Sequence, residues 1–239
     1  MDLSATNKSY NTETSAFFRS FVVIMAKIKN IIFDFDGTLA DTAPLIVATM
    51  QATIAELRLP GKTDDECRAT IGLRLEDVPA VLWPGVSCTG PVFASAYRRI
   101  FDRLKRPMGV KCYPGVIDTL KALHVRGYGM AIASSRSHAS LEEYAATFGL
   151  TDIFAMLVGG NDVANGKPAP DPVLAILERT GWKPEETLVV GDAPVDILMA
   201  NAAGTASCGV TYGNSSPEAL ADAGATYLID TFPEIMKIL

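Results

Sequence analysis

From residue 30 onward the chain alternates between two hydrophobic rhythms. Short, nearly unbroken apolar runs occur at 30–35, 129–134, 155–160, 187–192 and 206–210, with a weaker one at 226–229. Between them, at 116–127, 140–149, 172–181 and 195–204, apolar residues recur every three or four positions, the period of an amphipathic helix. Gly127, Gly149 and Gly204 close three of these helices as C-cap residues, and Asp171 followed by Pro172 opens the remaining one as N-cap and first helical residue. Apolar strands separated by helices belong to a parallel sheet covered on both faces. The expected fold is therefore α/β, a three-layer core around a central parallel sheet, with 226–229 as an edge strand.

One region breaks the alternation. Residues 43–112 contain no strand pattern and read as four helices, at 44–59, 63–71, 74–83 and 91–106. In the last of these, Phe93, Tyr97, Ile100, Phe101 and Leu104 share one face. Pro-Gly pairs at 60–61 and 84–85 separate the helices. The expected division is an N-terminal extension at 1–28, a core formed by 29–42 and 113–239, and a small all-helical domain at 43–112 inserted after the first strand, with hinges near 40–44 and 110–114. The extension is rich in Ser, Thr and Asn, with Met25 as an alternative start. Its apolar run "FVVIMA" is too short to span a bilayer and lacks the basic start of a secretory signal.

Composition narrows the function. The chain has 239 residues, 49% of them hydrophobic, enough for one core domain and a smaller insert. A net charge of -6 disfavours nucleic acid as a partner. The four cysteines, Cys67, Cys88, Cys112 and Cys208, form no C-x-x-C pair, and the only histidines are His124 and His138, so a zinc site built on Cys/His spacing is not expected. Reduced thiols fit a cytoplasmic protein without a membrane partner, monomeric or homodimeric.

The chemistry collects at strand ends, where ligands bind in a parallel α/β sheet. The stretch "IIFDFDGTLADT" (31–42) ends its apolar run in Asp34 and Asp36, which an ordinary buried strand avoids because an unpaired buried charge is costly. The next run ends at Ser134 and Ser135, and 187–192 ends at Asp192 with Asp196 four residues on. The loop after 155–160 carries Lys167. Clustered carboxylates need a cation, and oxygen ligands without Cys or His suit Mg²⁺, which usually keeps places for water and substrate phosphate. A carboxylate can attack phosphorus to give an aspartyl-phosphate, and a second can protonate the leaving oxygen and then activate water. Ser134 and Lys167 can hold the phosphoryl oxygens. Against this, Asp192 and Asp196 could be acids favoured by a helix dipole. The basic cluster Arg98, Arg99, Arg103, Lys105 and Arg106 reads as a solvated helix face, and Arg74 in "IGLRLEDV" as the insert's contact to substrate.

"DFDGTLADT", the strand-final Ser134, "GKPAPD" and "GDAPVD", in that order from about residue 29 to the C-terminus, resemble the four motifs of the haloacid dehalogenase superfamily. The resemblance implies a Rossmann-like core with strands in the order 3-2-1-4-5 and makes the insert similar to that superfamily's helical cap. "IGLRLEDV" and "GVTYGNSSPEAL" look like the phosphoglycolate phosphatase branch. By resemblance, Asp34 is the nucleophile and a metal ligand. Asp36 is the acid/base and lends its backbone carbonyl to the metal, Thr38 orients Asp36, and Gly37 permits the sharp exit from the strand. Ser134, with Ser135 as its alternative, and Lys167 hold the phosphoryl group, while Asp192 and Asp196 serve Mg²⁺. The implied activity is hydrolysis of a small phosphorylated metabolite, 2-phosphoglycolate first. A sugar phosphomutase is the alternative, weakened by the lack of histidine before residue 124. A non-catalytic binding or regulatory protein of the same fold is the other.

Overall fold

The computed structural model describes residues 28–239. The expected N-terminal extension and Met25 lie outside the described residues, except for Ile28. The first strand, β1 (Asn30–Phe33), is buried along its whole length. It leads to a two-residue strand, β2 (Ala40–Asp41), which pairs antiparallel with β3 (Lys111–Cys112). Four helices lie between those two: α1 (Ala43–Leu57), α2 (Asp64–Arg68), α3 (Val78–Leu82) and α4 (Gly90–Met108). The chain then alternates through α5 (Val116–Val125), β4 (Gly129–Ala133), α6 (His138–Thr147) and β5 (Met156–Val158). It continues through α7 (Asp171–Thr180), β6 (Thr187–Gly191), α8 (Pro194–Ala202), β7 (Ala206–Val210), α9 (Pro217–Asp222) and β8 (Tyr227–Ile229).

The main sheet runs β5-β4-β1-β6-β7-β8, and every pairing in it is parallel. This is the expected α/β core with strands in the order 3-2-1-4-5, and β8 adds the edge. Side chains alternate across β1 as a strand requires. Ile31 and Phe33 join Leu188, Val190, Met130 and Ile132 against α5, while Ile32 joins Ala131, Val189 and Val158 against α7 and α8. Both faces are apolar because both are covered, which is why the strands read as unbroken hydrophobic runs.

Several strands end one or two residues before their hydrophobic runs do. In β1, Phe35 leaves the ladder and stacks on Tyr144 and Phe148 at ring-centre distances of 5.2 and 6.4 Å. Asp36 is thereby freed from the main sheet at its carboxyl edge, while Asp34 keeps one backbone bond to Val190. Three further departures from expectation have local causes. The helix expected at 74–83 is confined to α3, because 72–77 is drawn into turns over the core. The helix at 172–181 starts one residue early, with Pro170 at its N-cap. The Asp171 carboxylate, instead of capping, accepts from the Asn165 backbone N–H at 3.3 Å and its side-chain amide at 2.9 Å, tying down the loop that carries Lys167. The region taken to lack strands contributes β3, too short for any period to show.

Helices α1 to α4 share an apolar cluster of their own, including Leu45, Met50, Trp83, Phe93 and Tyr97. Phe93, Tyr97, Ile100 and Phe101 are buried as the helical spacing of α4 predicts, and Leu104 is half-buried. Among the described residues no helix is long and apolar enough to cross a membrane.

Candidate active site

Three adjacent parallel strands deliver the site. Asp34 follows β1, Asp192 follows β6, and Ser134 follows β4. Hydrogen bonds from Asp34 N to Val190 O at 2.8 Å and from Ser134 N to Val158 O at 3.0 Å extend the sheet ladder into the site. Lys167 enters from the loop after β5, and Asp196 sits in the first turn of α8. All five side chains belong to buried residues.

Their geometry is tight. The Lys167 ammonium lies 2.5 Å from Asp34 Oδ1 and 2.6 Å from Asp196 Oδ1. Asp196 Oδ2 accepts from the Ala193 N–H at 3.1 Å. Asp196 is therefore both a helix N-terminal acid and a member of the cluster, so the two readings of its sequence context coincide. Asp192 accepts from the backbone and side-chain amide of Asn214, both at 2.8 Å, and from Thr38 Oγ1 at 3.3 Å. Thr38 was expected to orient Asp36; its hydroxyl serves Asp192, and its carbonyl accepts from Tyr212 at 2.7 Å.

The electrostatics favour a cation. Carboxylate oxygens of Asp34, Asp192 and Asp196 fit within 4.8 Å of one another, and the buried Lys167 ammonium pairs with two of the three, Asp34 and Asp196. Burial raises the Asp34 carboxyl well above its usual range, against the pull of Lys167. Burial, then Asp196, pushes Asp192 up to about 7. Burial would lower Lys167, but Asp196 and Asp34 outweigh it and hold the ammonium above its ordinary value. A hard dication would remove the remaining repulsion, and an all-oxygen donor set suits one. The residues present therefore fit a divalent metal such as Mg²⁺.

Gly37 makes this approach possible. Its φ is 83°, in the left-handed region, and a Cβ there would overlap the Asp192 carboxylate and the Asn214 amide. Gly37→Ala is expected to cost about 2 kcal/mol, the sum of a strained backbone and a displaced carboxylate, read by urea denaturation.

Across the cluster a cleft of about 660 Å³ opens beneath the helical insert, lined by Asp34, Asp36, Ser134 and Arg136 of the core and by Arg74 and Phe101 of the insert. Ser135 also lines the cleft, and its hydroxyl reaches the insert, donating to Gly72 O at 2.6 Å. Arg74 lines the cleft, but its guanidinium donates to the carbonyls of Gly160, Val163 and Ala164, all at 2.9 Å. It ties the insert to the loop leading to Lys167. The Arg98–Lys105 cluster is a solvated face, with Arg98 on Glu76 and Lys105 on Asp102 and Glu143.

Sequence reasoning missed Arg136 and Asn214. Arg136 grips Asp36, with contacts from 2.6 to 3.2 Å, and Asn214 supports Asp192 from the loop after β7. Asn214 stands in the stretch "GVTYGNSSPEAL" and Arg136 directly follows Ser134 and Ser135, yet their partners lie 22 and 100 residues away.

Comparison with known proteins agrees with this architecture. A family model described as haloacid dehalogenase-like hydrolase matches residues 31–210. The phosphoglycolate phosphatase of Salmonella typhimurium is 30% identical over 236 residues, covering 90% of this chain and 94% of its own. The protein named "Probable phosphatase IndB" of Dickeya dadantii is 34% identical over 211 residues, covering 86% and 91%. The solved structure of a hydrolase from Pseudomonas syringae superposes with a TM-score of 0.79 at 25% identity, covering 87% of this chain and 96% of that one.

Proposed function

The chain belongs to the haloacid dehalogenase-like hydrolases and is a phosphomonoester phosphatase, and from that premise we propose that it is Mg²⁺-dependent and works through an aspartyl-phosphate on Asp34. The observation that carries this reading is the clustering of the Asp34, Asp192 and Asp196 carboxylates, with Lys167 paired to Asp34 and Asp196, beside a cleft that Asp34 and Asp36 both line. The Lys167 ammonium opposes the burial that raises the Asp34 carboxyl, and so favours the ionised form that can attack.

In the first half-reaction Asp34 Oδ bonds to phosphorus. The P–O ester bond breaks, and its electron pair stays on the alcohol oxygen, which takes the proton of the Asp36 carboxyl. In the second, Asp36, now a carboxylate, accepts a proton from water as the water oxygen bonds to phosphorus. The P–O bond to Asp34 then breaks, inorganic phosphate departs and the Asp34 carboxylate is restored. Ser134 and Lys167 hold the phosphoryl oxygens through both halves, where stabilising charge matters most. Asp34, Asp192, Asp196 and the Asp36 carbonyl would hold the Mg²⁺, which when bound neutralises phosphoryl charge.

The cleft's size and its cover by the helical insert favour a small substrate. Relatives named phosphoglycolate phosphatase favour 2-phosphoglycolate. The test is phosphate release from a panel of 2-phosphoglycolate, β-glucose 1-phosphate, other sugar phosphates, nucleotides and pyrophosphate. Release with Mg²⁺ that disappears in EDTA and returns on adding Mg²⁺ is the expected result. No release from any member, or equal release in EDTA, overturns the reading. Glucose 6-phosphate formed from β-glucose 1-phosphate without free phosphate replaces it with a mutase.

A further inference from the structure

Of the charged residues that the reaction above leaves unused, Arg136 is the most constrained. It stands two residues beyond Ser134, on the turn into α6. Its Nε lies 3.0 and 3.2 Å from the two oxygens of Asp36, and its Nη2 lies 2.6 Å from Asp36 Oδ1. Its Nη1 donates to Ser140 Oγ at 3.1 Å. Three rings surround the guanidinium carbon, with centres at 5.5 Å for Phe35, 5.1 Å for Phe101 and 5.0 Å for Tyr144. Only 9% of the Arg136 side chain and 13% of the Asp36 side chain are exposed.

A surface ion pair this long in side chain would be loose and of little consequence. This one has a planar fork on a planar carboxylate, and aromatic faces fix the plane of the fork. A carboxylate gripped through both oxygens cannot rotate freely about its Cβ–Cγ bond. Phe101 belongs to α4, so one wall of the cage arrives with the helical insert, and the other two belong to the core.

We propose that Arg136 is the positioning residue for Asp36, fixing the plane and direction of the carboxylate that handles the proton in both half-reactions. The proposal rests on the assignment of Asp36 as acid/base. Proton transfer needs the heavy atoms within hydrogen-bond reach and aligned, and Arg136 supplies the alignment by holding the Asp36 carboxylate itself, with no contact to substrate in the assigned role. Lysine in its place would keep the charge but lose the fork.

The test is a double-mutant cycle in the full chain with Mg²⁺. The probe is the alkyl phosphate of the panel above that releases phosphate fastest, 2-phosphoglycolate first, whose alcohol leaving group must be protonated, so that both half-reactions are read. Arg136→Met is expected to lower kcat about 100-fold with KM unchanged, within the usual range of a general acid/base contribution. Arg136→Lys is expected to recover part of that loss. Asp36→Asn alone is expected to lose at least as much as Arg136→Met, and adding Arg136→Met to Asp36→Asn is expected to cost nothing more, because the clamp then has nothing to position. Melting temperatures report folding, and if Arg136→Met does not fold, Arg136→Lys completes the same cycle. Losses that multiply in the double variant overturn the proposal and make Arg136 a structural residue. A raised KM at unchanged kcat also overturns it and assigns the guanidinium to substrate binding. Full activity in Asp36→Asn removes the acid/base assignment and the clamp with it.

Discussion

Replacement of Asp34 by asparagine is expected to abolish turnover, by at least about 10⁴-fold in kcat, while leaving the fold intact. The amide is nearly isosteric but is a poor nucleophile, so neither half-reaction can proceed. The stability effect has the opposite sign from that of most buried substitutions. Burial, with Asp196, Asp192 and Asp36, holds the Asp34 carboxyl above its ordinary value despite Lys167. A carboxyl raised in the folded state favours folding while it is protonated, and that advantage is lost as pH rises above its unfolded value. At neutral pH without metal, ionised Asp34 therefore costs stability, and the neutral amide removes the cost. Lys167 keeps Asp196 as a partner at 2.6 Å, so no buried charge is stranded. The melting temperature of Asp34→Asn in EDTA is expected to equal or exceed that of the unaltered protein. Retained phosphate release would overturn the nucleophile assignment, and a sharply lowered melting temperature in EDTA would overturn the charge-crowding account.

The legible part of this molecule was the part whose signal is local. Apolar runs such as 187–192 announced strands because both faces of the sheet are covered, and carboxylates at their ends announced a site because nothing in a plain core explains them. The sheet order, which only the family resemblance supplied, then brought Asp34 and Asp192 together. What stayed hidden depends on pairs far apart in sequence. Arg136 looks like an ordinary loop arginine until β4 lies beside β1, when its fork meets Asp36. Asn214 reads as a turn residue until β7 lies beside β6. Thr38 was given to Asp36 by family resemblance, whereas the turn at Gly37 aims its hydroxyl at Asp192. The β2–β3 ribbon offers two residues on each side, too few for any periodic signal. Arg74, expected as the insert's contact to substrate, lines the cleft, but its Nη1 and Nη2 donate to carbonyls of the loop after β5, contacts that no sequence pattern encodes.

Lys167→Met tests the other half of the charge balance and is expected to have the largest effect on stability. The ammonium is the one positive group between Asp34 and Asp196, and its side chain is 1% exposed. Methionine fills much of the same volume, so the packing loss is small. The electrostatic loss is large, because removing one partner of a buried ion pair costs about 3–5 kcal/mol. Here two carboxylates lose the same partner while Asp192 remains beside them. Urea denaturation in EDTA should show that loss. Mg²⁺ should restore more stability to the variant than it adds to the unaltered protein, since a ligand stabilises by binding the folded state and the variant's folded state has more uncompensated charge to offer. Adding Asp34→Asn to Lys167→Met should recover part of the stability by removing one of the stranded charges, a coupling that independent sites would not show. Turnover should fall about 10³-fold, because the phosphoryl oxygens lose a cation where charge stabilisation matters most. A Lys167→Met protein as stable in EDTA as the unaltered chain, with no added response to Mg²⁺, would mean that the three carboxylates do not form a charge-crowded metal site.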